Sequence, residues 1–219
     1  MKKRTIIFFL FLYQSILLDA KAQFKTNPKF GIRVGTNFSR FTKTFTNNKF
    51  YLNYSIGVTF EKPFNQKFSY ISEISYSKQG NIALANNPSP SYKKLLTKYD
   101  YITAPLFIRY KPPKSILFLT GGMQIAYLVN NETIFLPIKG FTNYSDPLLK
   151  RWDSGILLGT GIRLKNHFII DLRYFNSFST LYRPYNGLDP ITGNYVSAPA
   201  IRRFNQVLSL NFTYNLFNL

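Results

Sequence analysis

The last ten residues of regular pattern, Val207 to Leu216, constrain this chain more than any other feature. Leu208, Leu210, Phe212, Tyr214 and Leu216 occupy every even position, and the odd positions from 209 to 215 hold only Ser, Asn and Thr. Side chains alternate faces along a β-strand, so one face of this segment is apolar and the other can only form hydrogen bonds. A strand of about ten residues is also the length that crosses a bilayer at a tilt.

The same period recurs upstream. Phe30 to Phe41 sets Phe30, Ile32, Val34 and Phe38 against Gly31, Arg33, Gly35, Asn37 and Ser39. Tyr51 to Glu61 sets Leu52, Tyr54, Ile56, Val58 and Phe60 against Asn53, Ser55, Gly57 and Thr59. Lys67 to Lys78 continues it, with Ile71 out of step. Tyr99 to Tyr110 is interrupted by Pro105, which removes one ladder donor. Ile116 to Leu128 is apolar on both faces, and its register is open from sequence. Arg151 to Lys165 and Phe168 to Ser179 restore the alternation before the final strand, which begins after Ile201. Eight strands result. Short connections at 62–66, 111–114 and 165–167 follow the second, fourth and sixth, and longer polar links follow the others, including Asn86-Asn87-Pro88-Ser89-Pro90-Ser91.

Short turns on one rim, long loops on the other and an even strand count predict an all-β fold, an eight-stranded antiparallel transmembrane up-and-down β-barrel. Both termini would then lie on the short-turn side, the periplasm of a diderm cell. Closure pairs every backbone group without leaving an edge in hydrocarbon.

Composition agrees. The chain carries 22 Phe and 16 Tyr with only 17% charged residues, an aromatic load that a barrel can place in girdles at the two membrane interfaces. The N-terminus reads as a cleaved signal peptide over 1–22. Lys2, Lys3 and Arg4 cap an apolar run to Tyr13, and Ala20-Lys21-Ala22 supplies the small-residue cleavage site. An uncleaved anchor is the other reading, although the run is short for a span. The barrel domain is then 23–219 in the outer membrane, with no second domain or linker.

The absence of cysteine removes disulfides and thiolate chemistry. With one histidine, no metal site, cofactor or Ser-His pair is expected. His167 falls in a turn, and Asp100 and Asp146 read as isolated loop acids. The formal charge of +19 is scattered, not gathered in a stripe or a nucleic-acid module, so no nucleic acid is expected. Pairs such as Lys43 and Lys49, Lys150 and Arg151, or Arg202 and Arg203 suit anionic lipid head groups or lipopolysaccharide phosphates.

Strand parity sends Arg33, Glu73, Arg109, Asp153, Arg163, Asp171 and Arg173 inward. Four arginines and three carboxylates predict a salt-bridged interior, and an eight-stranded barrel is narrow enough for side chains to fill. The expected contact surface is the long-loop end, through Tyr92, Lys93, Lys94, Tyr144, Tyr182, Arg183 and Tyr185, because binding residues collect on loops of rigid scaffolds. An ion-conducting pore and a soluble lipocalin-like carrier with its aromatics inside are the rival readings.

Several segments resemble the Bacteroidetes outer-membrane β-barrel family of the PorT type: 29–37 (KFGIRVGTN), 72–80 (SEISYSKQG), 101–110 (YITAPLFIRY), Asp153-x-Gly155 with Gly159-x-Gly161, and Asp171-Leu172-Arg173-Tyr174. They occur in the expected order over the whole mature chain. Asn176-Ser177-Phe178 departs from the pattern, where a glycine is expected. The resemblance implies an eight-stranded barrel of the porin family and no agreed activity for most members. A subset belongs to secretion or gliding machinery, so an envelope protein partner is a further expectation.

Overall fold

The structure, a computed structural model, describes residues 27–42, 47–89, 92–136, 149–164, 167–182, 184–188, 195–198 and 203–218. The proposed signal peptide lies outside them. Eleven strands follow in order: β1 (Lys29–Phe41), β2 (Asn47–Lys49), β3 (Tyr51–Pro63), β4 (Phe68–Ser89), β5 (Tyr92–Tyr110), β6 (Leu117–Leu136), β7 (Trp152–Leu164), β8 (Phe168–Ser177), β9 (Tyr185–Leu188), β10 (Tyr195–Ala198) and β11 (Asn205–Asn218).

Eight of these form the wall. Each pairs antiparallel with its sequence neighbour, and β1 closes the ring by pairing with both β3 and β11, so that Val34 faces Ile56 on one side and Phe212 on the other. An antiparallel pair needs only a tight turn, so a purely sequential order lets short hairpins build the barrel. The short strands stand outside the wall: β2 pairs with the far part of β4, and β9 with β10.

The two-residue period becomes an inside and an outside. Ile32, Val34 and Phe38 point out from β1, while Arg33, Asn37 and Ser39 are buried. Ile74 on β4 is 62% exposed and its neighbours Glu73 and Ser75 are buried. Aromatic residues gather at both margins of the apolar band. At the end holding the termini, Phe30 packs on Phe60, Phe64 on Phe68, and Phe168 on Phe212 and Tyr214. At the opposite, loop end, Tyr127 meets Trp152 edge-on. From Phe30 to the exposed Arg40 the chain climbs about 25 Å, taking ~3.3 Å per residue and a tilt of ~40°.

Two glycines show how tightly the wall is knit. A Cβ on Gly122 would run into the backbone of Phe107 across the β5–β6 ladder, and one on Gly159 would press on Thr120 and the Arg173 side chain. Small residues are needed where a neighbouring backbone or a lumen arginine comes this close.

The structure corrects two expectations and supplies a register that the sequence leaves open. The segment Asn86 to Ser89 belongs to β4, not to a loop, and β4, β5 and β6 all continue past the loop-end girdle as a ribbon, with Ser89 paired to Tyr92 and Lys94 to both Leu84 and Leu136. Between Leu84 and Ser89 the β4–β5 register shifts, and the alternation of hydropathy lapses over the same stretch. Asp100 lies within β5, beside Lys78 Nζ at 3.3 Å and accepting from Asn130, so it is not an isolated loop acid. The register of β6 is set by its neighbours: Phe118, Thr120, Gln124, Ala126 and Leu128 face inward, and Leu119, Met123 and Ile125 face out. Ile71, out of step in sequence, turns inward to pack with Phe107 and Leu157.

Candidate functional site

The interior is built in tiers, each contributed by strands distant in sequence. Nearest the termini, Glu61 extends the odd-numbered inner face of β3. Arg109 Nη1 of β5 donates to its Oε2 at 2.7 Å, and Arg163 Nη2 of β7 lies 2.6 Å from both carboxylate oxygens. The Arg109 guanidinium also sits 4.4 Å above the Phe118 ring. Glu61, the last residue of its strand in the sequence pattern, is not among the seven residues expected inward. The signal was present, since the parity of Asn53, Ser55, Gly57 and Thr59 reaches 61.

The second tier joins β1, β4, β8 and β11. Arg173 Nη1 donates to Glu73 Oε2 at 2.7 Å and grips Asp171 with two nitrogens, Nε at 2.5 Å and Nη2 at 3.0 Å. Arg33 Nε approaches the same Glu73 oxygen at 3.2 Å. Its other nitrogens donate to Asn211 Oδ1 at 2.5 Å and Ser75 Oγ at 2.8 Å, and Asn211 Nδ2 returns to Asp171 at 2.9 Å. The circuit is closed on itself, and Arg173 is further stacked 4.6 Å over Phe107.

Among the described residues the third tier contains no cation. Asp153 of β7 accepts a short hydrogen bond from the Ser177 hydroxyl of β8 and has Asn205 Nδ2 at 3.5 Å. Asn205 donates to Gln79 at 2.5 Å, Gln79 to Ser77 at 3.0 Å, and Asn37 to the same Ser77. Above it lies an apolar cap of Phe41, Tyr99, Tyr101, Ala126, Leu128, Leu149 and Leu181, with Tyr182 packed against it. Phe41 stacks on Tyr99 at 5.2 Å, and Tyr99 meets Tyr101 edge-on.

All seven residues assigned inward by parity therefore face the lumen. Arg33, Glu73, Arg109, Asp153, Asp171 and Arg173 are buried, and Arg163 is half-buried at the termini end. With Glu61 the set balances at four arginines and four carboxylates. The remaining space is small. A void of about 30 Å³ separates the second and third tiers, and one of about 10 Å³ adjoins Glu61 and Arg109, room for roughly two waters in the first and at most about one in the second.

The loop-end candidates are more scattered. Tyr92, Lys93 and Lys94 lie on β5 in the ribbon, where Lys94 is exposed. Tyr182 is half-buried, bridges to Leu149, and carries Arg203 over its ring at 5.4 Å. Tyr185 begins β9, and Tyr144 and Arg183 lie outside the described residues. His167 is exposed in its turn, Nδ1 3.1 Å from the Asn215 carbonyl. Among the described residues no cluster of three His, Cys, Asp or Glu side chains could hold a metal ion.

Residues 21–183 match the family model described as outer membrane protein beta-barrel domain. No curated protein matches the sequence. The solved structures similar in fold include the following three. Ail, the attachment invasion locus protein of Yersinia pestis, is 13% identical, covers 87% of this chain and 99% of its own, and has a TM-score of 0.46. Neisserial surface protein A is 10% identical over 85% of this chain and 97% of its own, with a TM-score of 0.49. OprG of Pseudomonas aeruginosa is 16% identical over 88% and 97%, with a TM-score of 0.46.

Proposed function

The chain belongs to the outer membrane protein beta-barrel domain family, and on that premise we propose that it is a non-enzymatic surface protein whose plugged barrel anchors a binding ribbon in the outer membrane. In this reading residues 1–22 direct export and are removed. The termini lie in the periplasm, and the loop end meets the outside in surface binding or envelope integrity.

One observation carries the proposal: two tiers of paired charges, a neutral hydrogen-bonded tier and an apolar cap follow one another along the lumen. Buried ion pairs held by several hydrogen bonds each are fixed structure, not a path for ions. Where the wall alone would suffice for an anchor, β4, β5 and β6 instead rise beyond it. A rigid platform bearing Tyr92, Lys93 and Lys94 is the natural place for contacts with lipopolysaccharide phosphates or an envelope protein. The non-enzymatic part rests on the lack of a nucleophile–base pair around His167, whose described neighbours are the Asn215 carbonyl and Tyr214. The PorT-type resemblance keeps an accessory role in a secretion or gliding complex as the second reading.

The test is to purify the barrel from outer-membrane fractions, confirm it by its gel mobility before and after boiling, and reconstitute it in a planar bilayer. The expected result is no stepwise conductance, together with binding of lipopolysaccharide that drops when residues 85–95 are replaced by a short turn. Regular conductance steps would instead establish the small transport pore. Loss of a co-purifying envelope protein on the same replacement would establish the accessory role.

A further inference from the structure

The end of the barrel that holds the termini has its own surface chemistry. Two hairpin turns, β3–β4 and β5–β6, lie side by side there, because β4 and β5 are paired and Lys111 N donates to Lys67 O at 2.7 Å. Four lysines surround them. Lys67 and Lys114 are exposed, Lys62 and Lys111 are half-buried, and among the described residues none of their ammonium groups makes an ion pair. Among the described residues no exposed Asp or Glu side chain answers them: the acid at this end is Glu61, buried beneath two arginines. The loop end differs, since Lys78 pairs with Asp100 and Lys98 with Glu132.

Between the lysines sits an aromatic platform. Phe64 and Phe68 stack at 6.0 Å with planes 9° apart, Phe68 adjoins Tyr110 at 5.0 Å, and Phe64 is exposed. Lys114 occupies its turn with φ at 61°, a backbone that glycine or asparagine adopts with less strain. An ammonium group is held at that tip in spite of the local backbone preference.

We propose that these two turns form a site for the head group of an anionic glycerophospholipid. Its phosphate would rest among Lys62, Lys67, Lys111 and Lys114, and its glycerol and upper acyl chains against Phe64, Phe68 and Tyr110. Aromatic rings at the interface with unpaired cations just beyond them match such a lipid in both layers, and cations so placed draw anionic head groups electrostatically. The site requires only that the barrel lie in a bilayer, so it stands or falls apart from any role of the loop end.

Native mass spectrometry of the barrel released from micelles containing equal phosphatidylglycerol and phosphatidylcholine tests it. The wild type is expected to retain the anionic lipid with about tenfold preference at low salt. In the combined variant K62Q, K67Q, K111Q and K114N, the preference should fall to within about twofold, while R40Q with K98Q leaves it unchanged. Equal retention of the two lipids by the wild type, or an undiminished preference in the four-lysine variant, overturns the site. Displacement of the lipid by inorganic phosphate or by a polyglutamate peptide overturns it in favour of a free anion or an acidic protein. Should the variant fail to fold, the wild type alone decides: a preference that persists at about 0.5 M salt, where screening is nearly complete, also overturns the proposal.

Discussion

Two carboxylates inside this barrel live in opposite electrostatic settings. Glu61, near the termini, is clasped by two guanidinium groups, whereas Asp153, near the loop end, is met by a hydroxyl and an amide with no cation in contact. Both are buried to the same degree, 3% exposed, so burial alone does not separate them. In the lower tier charge compensates charge, and removing one member strands the others. In the upper tier neutral dipoles do the work, and an uncharged isostere can replace the acid. The lumen is thus stiffened by ions where it is narrowly polar throughout, and by neutral hydrogen bonds where it gives way to the apolar cap.

The largest effect that would break this comparison is expected at Glu61. Glu61→Gln leaves Arg109 and Arg163 without an anion and should cost about 3–5 kcal/mol, read as a lower temperature for the mobility shift on gels or a lower urea midpoint. A change below about 1 kcal/mol would mean that water reaches the tier and screens it. Next comes the cap: Leu128→Ala should cost about 2–4 kcal/mol through lost contact and a residual cavity, measured the same way. If it costs nothing, the cap is not part of the cooperative unit. Asp153→Asn keeps the shape and a hydrogen bond to Ser177, so a change of at most about 1 kcal/mol is expected. A loss equal to that of Glu61→Gln would erase the distinction between the tiers. The smallest effect belongs to the partly exposed Lys78–Asp100 pair on the outer wall, where Lys78→Gln should shift stability by about 0.5 kcal/mol or less. Salt should mimic that substitution and leave the lower tier unmoved.

Much of the fold was legible because a membrane-crossing strand must sort its side chains strictly by face. The alternation in β1, β3 and β11 marks both the strands and the direction of every side chain, and it placed seven lumen charges without any structure. It stops short at Glu61, at the end of the alternating run, and it fails in the ribbon, where lipid no longer imposes a contrast. At the start of β6 the residues 117–119 are apolar throughout, so period alone does not choose a face. Pairing of Tyr127 to Trp152 and Leu119 to Thr160 across the β6–β7 ladder does.

The sequence by itself determined that this chain closes into eight antiparallel strands with a polar interior, because local alternation and turn length act between neighbours along the chain. Which arginine meets which carboxylate was decided only by the tertiary structure. Glu61 reaches Arg163 across 102 residues, and Arg173 reaches Glu73 across 100. Those meetings depend on the tilt and stagger of the closed barrel, which no single strand encodes.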